Sequence, residues 1–305
     1  MKKVLLSAFA CQPKKGSESS NGWNWATGLA NKGYEVHCLT SRTNKPFIEE
    51  VEAPANLHFH YVQLPLRLQM LHHLSQPTLY MHYIMWQWLA YKTAKKLHKT
   101  YQFSLVHHIS WGSPQMGSFL YKLGIPFIFG PAGGGQNAPE AFKKYFLGHW
   151  ASEIKREKVS EWLVKNNPAC KKMLKGSHAV IVSNRETEEF MKAIGVKNIS
   201  LSIDHALPDS FFPEKFQAKN PVPGTLKMLW VGRFMPRKGL LLTLDVMARL
   251  KAYPNITLTI VGDGEMKEEV VKKIKEEGLE ETVKLTGTIP YEQVKEYYSA
   301  YDIFF

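Results

Sequence analysis

The 305 residues carry 39 Lys and Arg against 27 Asp and Glu, a formal charge of +12, with 44% hydrophobic and 22% charged residues. This length and balance give about two globular domains and exclude disordered, collagenous and coiled-coil classes. Three scattered cysteines, Cys11, Cys38 and Cys170, exclude a disulfide scaffold or a CxxC zinc site and fit a reducing cytoplasm, while the cationic excess calls for an anionic partner.

In chain order, Met1-Lys2-Lys3 and a short apolar run read as a first strand over 4–9, not a secretion signal, because a Gly-rich turn and a helix over 18–32 follow directly. Strands are expected over 35–39 and 57–62, then a long aromatic helix over 77–100 whose Tyr80-to-Tyr91 part reads as core. A strand over 105–108, a helix over 114–123 and a strand over 126–129 come next. Residues 139–175 read as helical and strongly charged, followed by a strand over 179–182 and a helix over 185–194. Strands alternating with helices indicate parallel α/β units that bind ligands at the carboxyl ends of the strands.

Pro208, Pro213, Pro221, Pro223 and Gly224 break this rhythm, so 208–225 reads as a linker between a first domain over 1–207 and a second over 226–305. The second series is a strand over 227–231, a helix over 240–252, a strand over 257–261, a helix over 265–277, a strand over 283–285 and a helix over 291–301. Another strand begins at Asp302. A second domain this small is expected to be partial. No stretch supplies the roughly 20 apolar residues of a membrane span.

Three glycine-bearing loops follow strands. Gly232-Arg233-Phe234-Met235-Pro236-Arg237-Lys238-Gly239 offers helix amides to an anion, with Arg233 able to fork onto phosphate oxygens and Lys238 adding a point charge. It lacks the Walker pattern. Gly16-Ser17-Glu18 opens the first helix, where Gly16 permits close backbone approach; the alternative is a helix start capped by Ser17 or Ser19. Gly133-Gly134-Gly135 follows Gly130-Pro131, and such a run suits close passage beside a ligand or another loop. His107 and His108 end a buried strand. Alternation puts one on each face, and His108 is taken as the site-facing member, with Trp111 on the following loop. Gly262-Asp263-Gly264 and Thr286-Gly287-Thr288 close two further strands on the edge that carries Arg233.

Between Lys143 and Lys175 lie nine Lys or Arg and three Glu, half of the net charge, interleaved with Tyr145, Phe146, Trp150 and Trp162. The stretch suits an anionic membrane surface or a solvated helix with its aromatics inward. No nucleic-acid-binding signature accompanies it.

Together Gly16-Ser17-Glu18 with Gly22-Trp23, the run from His107 to Trp111, Gly130-Pro131 with the three glycines and Pro139, Gly232-Arg233 with Lys238-Gly239, and Gly262-Asp263-Gly264 resemble the retaining nucleotide-sugar glycosyltransferases of family 4. The resemblance implies a GT-B fold of two Rossmann-like domains facing a cleft. It implies a donor diphosphate held by Arg233 and Lys238 with help from Gly16, and a base-and-ribose pocket near Gly262, Asp263, Gly264, Thr288 and Ile289. The acceptor, a glycan or lipid-linked glycan of cell-surface polysaccharide synthesis, would meet Ser17, Glu18, Trp111 and Gly133 to Gly135. His108, Arg233 and Lys238 are the catalytic residues expected, with no metal and no cofactor beyond the sugar nucleotide. Two features depart from the family. Many relatives have a histidine where this chain has Gly130-Pro131, and the family's Glu-x7-Glu segment is expected beyond Phe305, so the 305 residues are expected to be catalytically silent. A nucleotide-sugar epimerase or phosphorylase and a non-catalytic sugar-nucleotide-binding protein are the alternative readings.

Overall fold

The computed structural model describes residues 1–65, 68, 76–212, 214–215 and 222–305. The chain forms two compact units, Met1–Asn137 with Glu157–Asp209, and Ala138–Arg156 with Ser210–Phe305.

The first unit is built on β1 (Lys3–Ala8), β2 (Glu35–Ser41), β3 (Leu57–Val62), β4 (Leu105–Ser110), β5 (Phe127–Ala132), β6 (Ala179–Val182) and β7 (Ile199–Leu201). All pair in parallel, in the order β3-β2-β1-β4-β5-β6-β7. The apolar runs of β1 and β4 need cover on both faces. Alternation sends Leu5 to one core with Tyr83, Trp86 and Phe129, and Leu6 to another with Ala26, Val36 and Cys38. Helix α1 (Ser17–Asn31) supplies Ala26 and Ala30 to the second core. After the short α2 (Lys45–Glu49), helix α3 (Gln76–Tyr101) supplies Tyr83, Trp86, Ala90 and Ala94 to the first. Strand order reverses between β1 and β4, which makes their carboxyl ends the natural place for a ligand.

The expected core role of the aromatic helix holds for one face only. Tyr80, Met81, Ile84 and Trp88 lie exposed along α3, with the Lys92 ammonium over the Trp88 ring. The expected helix over 114–123 does not form. A 3-10 turn covers Phe119–Leu123 alone, because Gly117 and Gly124 adopt positive φ on either side. The charged stretch is three pieces: a 3-10 segment Glu140–His149, helix α4 (Trp150–Asn166) and helix α5 (Pro168–Gly176). Pro168 stops α4, and Asn167 caps α5 by accepting from the Ala169 and Cys170 amides at 3.0 and 3.3 Å. Helix α6 (Arg185–Ala193) follows β6 and is capped by Asn184.

The second unit carries β8 (Leu226–Val231), β9 (Ile256–Val261), β10 (Val283–Gly287) and β11 (Ile303–Phe304), parallel in the order β10-β9-β8-β11. Helices α7 (Leu240–Arg249) and α8 (Lys267–Glu276) close a core of Met228, Trp230, Phe234, Leu244, Ile260 and Val270, and α9 (Val294–Ala300) precedes β11. Tyr145 packs on this core, and its hydroxyl donates to Asp245 at 2.6 Å. Burial raises the Asp245 pKa, but hydrogen bonds from Lys273, Tyr145 and Lys144 outweigh it and hold the carboxyl well below its usual range. Residues 138–156, read from sequence as part of a 1–207 domain, thus pack with the second unit. Of the expected linker over 208–225, Pro213 and Pro221 lie outside the described residues. Among the described residues no helix is long and apolar enough to cross a membrane.

Candidate functional site

In the first unit, the loops leaving β1, β4, β5 and β6 assemble at one sheet edge. Gly16 is exposed at the N-cap position of α1, and a side chain there would meet nothing within 4 Å. Neither Ser17 nor Ser19 caps the helix, so the first amides of α1 have no side-chain cap; Ser17 itself has φ 61°. Gly22 serves packing: a Cβ there would lie 2.1 Å from the Ala10 carbonyl oxygen, so α1 can lie against the β1 loop only with glycine. Glu18 reaches across to β4's loop, where its Oε1 accepts from the Gly112 amide at 3.2 Å. Burial lifts its pKa to about 7, opposed by the Gly112 hydrogen bond and aided by nearby Asp204. The chain after β7 is pinned beside it. The Asn21 amide donates to the Asp204 carbonyl and accepts from the Ala206 amide, and Asn24 donates to the Ala206 carbonyl at 2.7 Å.

The expectation that His108 faces the site is not met. His108 is fully buried and stacked on Phe129, with Nδ1 3.1 Å from Ser7 Oγ and Nε2 3.3 Å from both the Tyr83 hydroxyl and the Trp111 carbonyl. Burial holds its imidazole down at about 3, so it is a neutral core group. His107 is buried on the opposite face, with Nε2 2.8 Å from the Gly130 carbonyl oxygen. A register shift between Ser7 and Ala8 pairs Ala8 with Ser110, so β4 runs past both histidines before the chain leaves the sheet. Tyr83 organises the following turn: its hydroxyl accepts from the Trp111 amide at 3.0 Å and from Gln87 Nε2 at 2.5 Å, and the Trp111 ring stacks on it at 4.4 Å. The partly exposed Trp111 is thereby held by an α3 residue far away in sequence.

The glycine run approaches protein backbone. The Gly133 amide donates to the Gly112 carbonyl and the Gly135 amide to Thr187 Oγ1 at 3.0 Å, and a Cβ on Gly135 would lie 2.7 Å from Thr187 backbone. The run therefore closes one wall of a pocket of about 520 Å³, open to solvent and shared with Gln115, Asn137, Glu157, Ser160 and Glu161.

In the second unit, β8 leads into the Arg233 loop and Gly239, in the left-handed region at φ 68°, starts α7 without a side-chain cap. The β9 loop closes on it. The Phe234 amide donates to the Asp263 carbonyl and the Met266 amide to the Phe234 carbonyl. A Cβ on Gly262 would sit 1.9 Å from the Gly232 carbonyl oxygen and one on Gly264 2.6 Å from that of Phe234, so both glycines are required by this closure. Around it lies a pocket of about 530 Å³, again open to solvent, lined by Gly232, Arg233, Gly262, Asp263, Thr288 and Ile289 among others. Arg233 is largely exposed and donates to Glu265 Oε2 at 3.2 Å. Lys238 is exposed on the same loop but does not line this pocket. Asp263 accepts from the Gly264 amide at 2.8 Å and pairs with Lys267 at 2.7 Å; Lys267 and then the Gly264 amide lower its pKa.

Two family models match successive parts of the chain. A model described as glycosyltransferase family 4 matches residues 23–203, more than half of the chain. The chain belongs to this family. A second model, glycosyl transferases group 1, matches 211–305 of this glycosyltransferase. No curated protein matches it. Among solved structures it resembles a sucrose-phosphate synthase from Thermosynechococcus elongatus, with TM-score 0.62 and 16% identity over 100% of this chain and 75% of that one. A glycosyltransferase from Rickettsia africae gives 0.57 and 16% over 99% and 72%. Anabaena HepE in complex with UDP-glucose gives 0.54 and 13% over 100% and 73%. The fold is GT-B, with two Rossmann-like sheets, the second smaller, as the sequence led us to expect.

Sequence reasoning missed Glu265 as the Arg233 partner, Tyr83 beneath Trp111, and the Asn21 and Asn24 clamp on residues 204–206. Glu265, two residues after Asp263, was the one within reach of a local reading.

Proposed function

We propose that this glycosyltransferase binds a nucleoside diphosphate sugar on its second unit and transfers the sugar with retention, without a metal ion, to a glycan or lipid-linked acceptor held by loops of the first. The single observation that carries the donor reading is the pocket uniting Gly232, Arg233, Gly262, Asp263, Thr288 and Ile289 at the carboxyl ends of β8, β9 and β10. Arg233 and Lys238 carry the charge a diphosphate needs, and the uncapped first amides of α7 add aligned dipoles. Stabilising the departing nucleoside diphosphate this way needs positioned donors and no metal. Once leaving-group charge is met, the bond from the anomeric carbon to the phosphate oxygen breaks and the acceptor hydroxyl attacks that carbon on the face the nucleotide leaves, its proton passing to the departing diphosphate, with no covalent glycosyl intermediate. HepE is solved with UDP-glucose, which favours a uridine nucleotide.

Ser17, Glu18, Trp111 and Gly133 to Gly135 serve the acceptor side in this reading, while His108 acts only as a support beneath Trp111. Glu18, poised near neutrality, accepts a proton more readily than an ordinary exposed carboxylate would. We further assign the protein to cell-surface polysaccharide synthesis at the cytoplasmic face of the membrane. The anionic surface would be met by the stretch from Lys143 to Lys175, whose Trp162 is 63% exposed beside exposed Val159.

Thermal shifts with UDP-, GDP- and ADP-sugars in excess chelator test the donor reading, and NMR of the product anomer, made with a chain that carries the Glu-x7-Glu segment, tests retention. Stabilisation by one sugar nucleotide class, and a product of unchanged anomeric configuration, are expected. No stabilisation by any of them, stabilisation that requires magnesium or manganese, or an inverted anomer would contradict the proposal.

A further inference from the structure

A cluster of nitrogen and oxygen ligands lies at the opposite edge of the first sheet, at the amino ends of β2 and β3. Glu35 and His37 share one face of β2, two residues apart, and His58 and His60 share the same face of β3. The parallel register sets His37 directly beside His58, with ring centroids 4.9 Å apart. One ligand atom from each of Glu35, His37 and His58 lies within 4.8 Å of the others. His37 is 1% exposed and held on three sides, stacked on His60 at 5.2 Å and packed against Tyr101 and Phe103. Its Nε2 lies 3.2 Å from Glu35 Oε1, and its Nδ1 lies 2.9 Å from His60 Nε2.

We propose that Glu35, His37 and His58 form a binding site for a divalent transition-metal ion of the zinc class, separate from the sugar-nucleotide and acceptor loops. Two imidazoles and a carboxylate are the ligand set for such ions, three protein ligands leave a further position for water, and imidazole disfavours magnesium or calcium. Closing three ligands around an ion that bonds at about 2.0–2.2 Å requires them to draw together, and the exposed His58 is free to turn inward while buried His37 stays fixed. Coordination through His37 Nε2 leaves its remaining ring proton on Nδ1, donated to His60 Nε2. This is the outer hydrogen bond that orients metal-bound histidines. Lys3 pairs with Glu35 Oε1 at 3.3 Å and is partly exposed, so it can yield or keep one carboxylate oxygen while the ion takes the other. β3 is the edge strand of the sheet, and an ion here would tie it to β2.

The test is calorimetric titration of zinc sulfate into the tag-free chain, with cobalt(II) absorption as a second readout, on wild type, His58→Ala, Glu35→Gln and His60→Ala. His58 is exposed, so its replacement leaves the fold intact, which circular dichroism verifies. One zinc per chain is expected, with a tetrahedral cobalt spectrum, a higher melting temperature, and no response to magnesium. Affinity should fall at least about tenfold in His58→Ala and Glu35→Gln, and by roughly 10–100-fold in His60→Ala, the range for lost outer-shell partners. Nucleotide affinity of His58→Ala should equal that of wild type. The chain has 12 histidines, so zinc binding that persists unchanged in His58→Ala and Glu35→Gln would place the ion elsewhere and overturn the assignment, as would no binding at all.

Discussion

Glu18 has the most informative ionisation in the molecule. Its pKa is raised, chiefly by burial, from the ordinary carboxylate range to about 7. For such a group, stability is fully present below the unfolded value near 4.3 and is lost as pH rises through 7. Glu18→Gln, which stays neutral, should therefore melt higher than wild type at pH 8.5 and show little difference at pH 4. Melting temperatures of the two proteins across that range check this, and parallel profiles would remove the assignment of a neutral-range carboxyl. The residues around Glu18 also show what a sequence can and cannot display. Gly16, Glu18 and Arg233 stand out because a glycine or charge beside a buried strand has few other uses. His108 stands out equally and is instead a satisfied core histidine, because both faces of β4 are covered and alternation therefore leaves neither histidine facing the site. Tyr83 was hidden because it meets Trp111 only through the packing of a helix on the sheet.

Helix α3 separates core from surface within a few residues. Trp86 is fully buried, touching Phe9 edge-on at 5.0 Å, while Trp88 is half exposed beneath Lys92. Trp86→Ala should cost about 3–5 kcal/mol in urea unfolding and Trp88→Ala no more than about 1 kcal/mol. Equal effects would mean that the helix presents a different face to the core. Most strands were legible because parallel strands buried on both faces read as short apolar runs, whereas β7, three residues long and largely exposed, gave no such run and was missed. The segments over 114–123 and 139–175 were not. Local positive-φ glycines cut the first, and in the second the apolar side chains choose between two cores that lie far apart in sequence. Tyr145 joins the core of the second unit, whereas Val164 and Cys170 join that of the first.

At the scale of the molecule, the charge of +12 is concentrated between Lys143 and Lys175, and part of it is already answered. Arg156 is bidentate on Glu153, Lys144 pairs with Asp245, and Lys165 pairs with Glu161. The membrane proposal therefore rests on the remainder, including Lys155 and Lys158 on α4 beside exposed Trp162. Binding to vesicles containing anionic lipid should exceed binding to neutral vesicles, weaken with salt, and fall when Lys155 and Lys158 are reversed to Glu. Equal retention on both vesicle types would make this stretch an ordinary solvated helix.

On the proposed function, the Arg233 loop holds a nucleotide diphosphate. Calorimetric titration of UDP, in excess chelator, into wild type, Arg233→Ala and Lys238→Ala tests it most directly. Removing a charge-assisted pair at this loop should cost on the order of 2–3 kcal/mol, roughly 30- to 150-fold in Kd, in Arg233→Ala, with a smaller loss in Lys238→Ala. Unchanged UDP affinity in both variants would contradict the account.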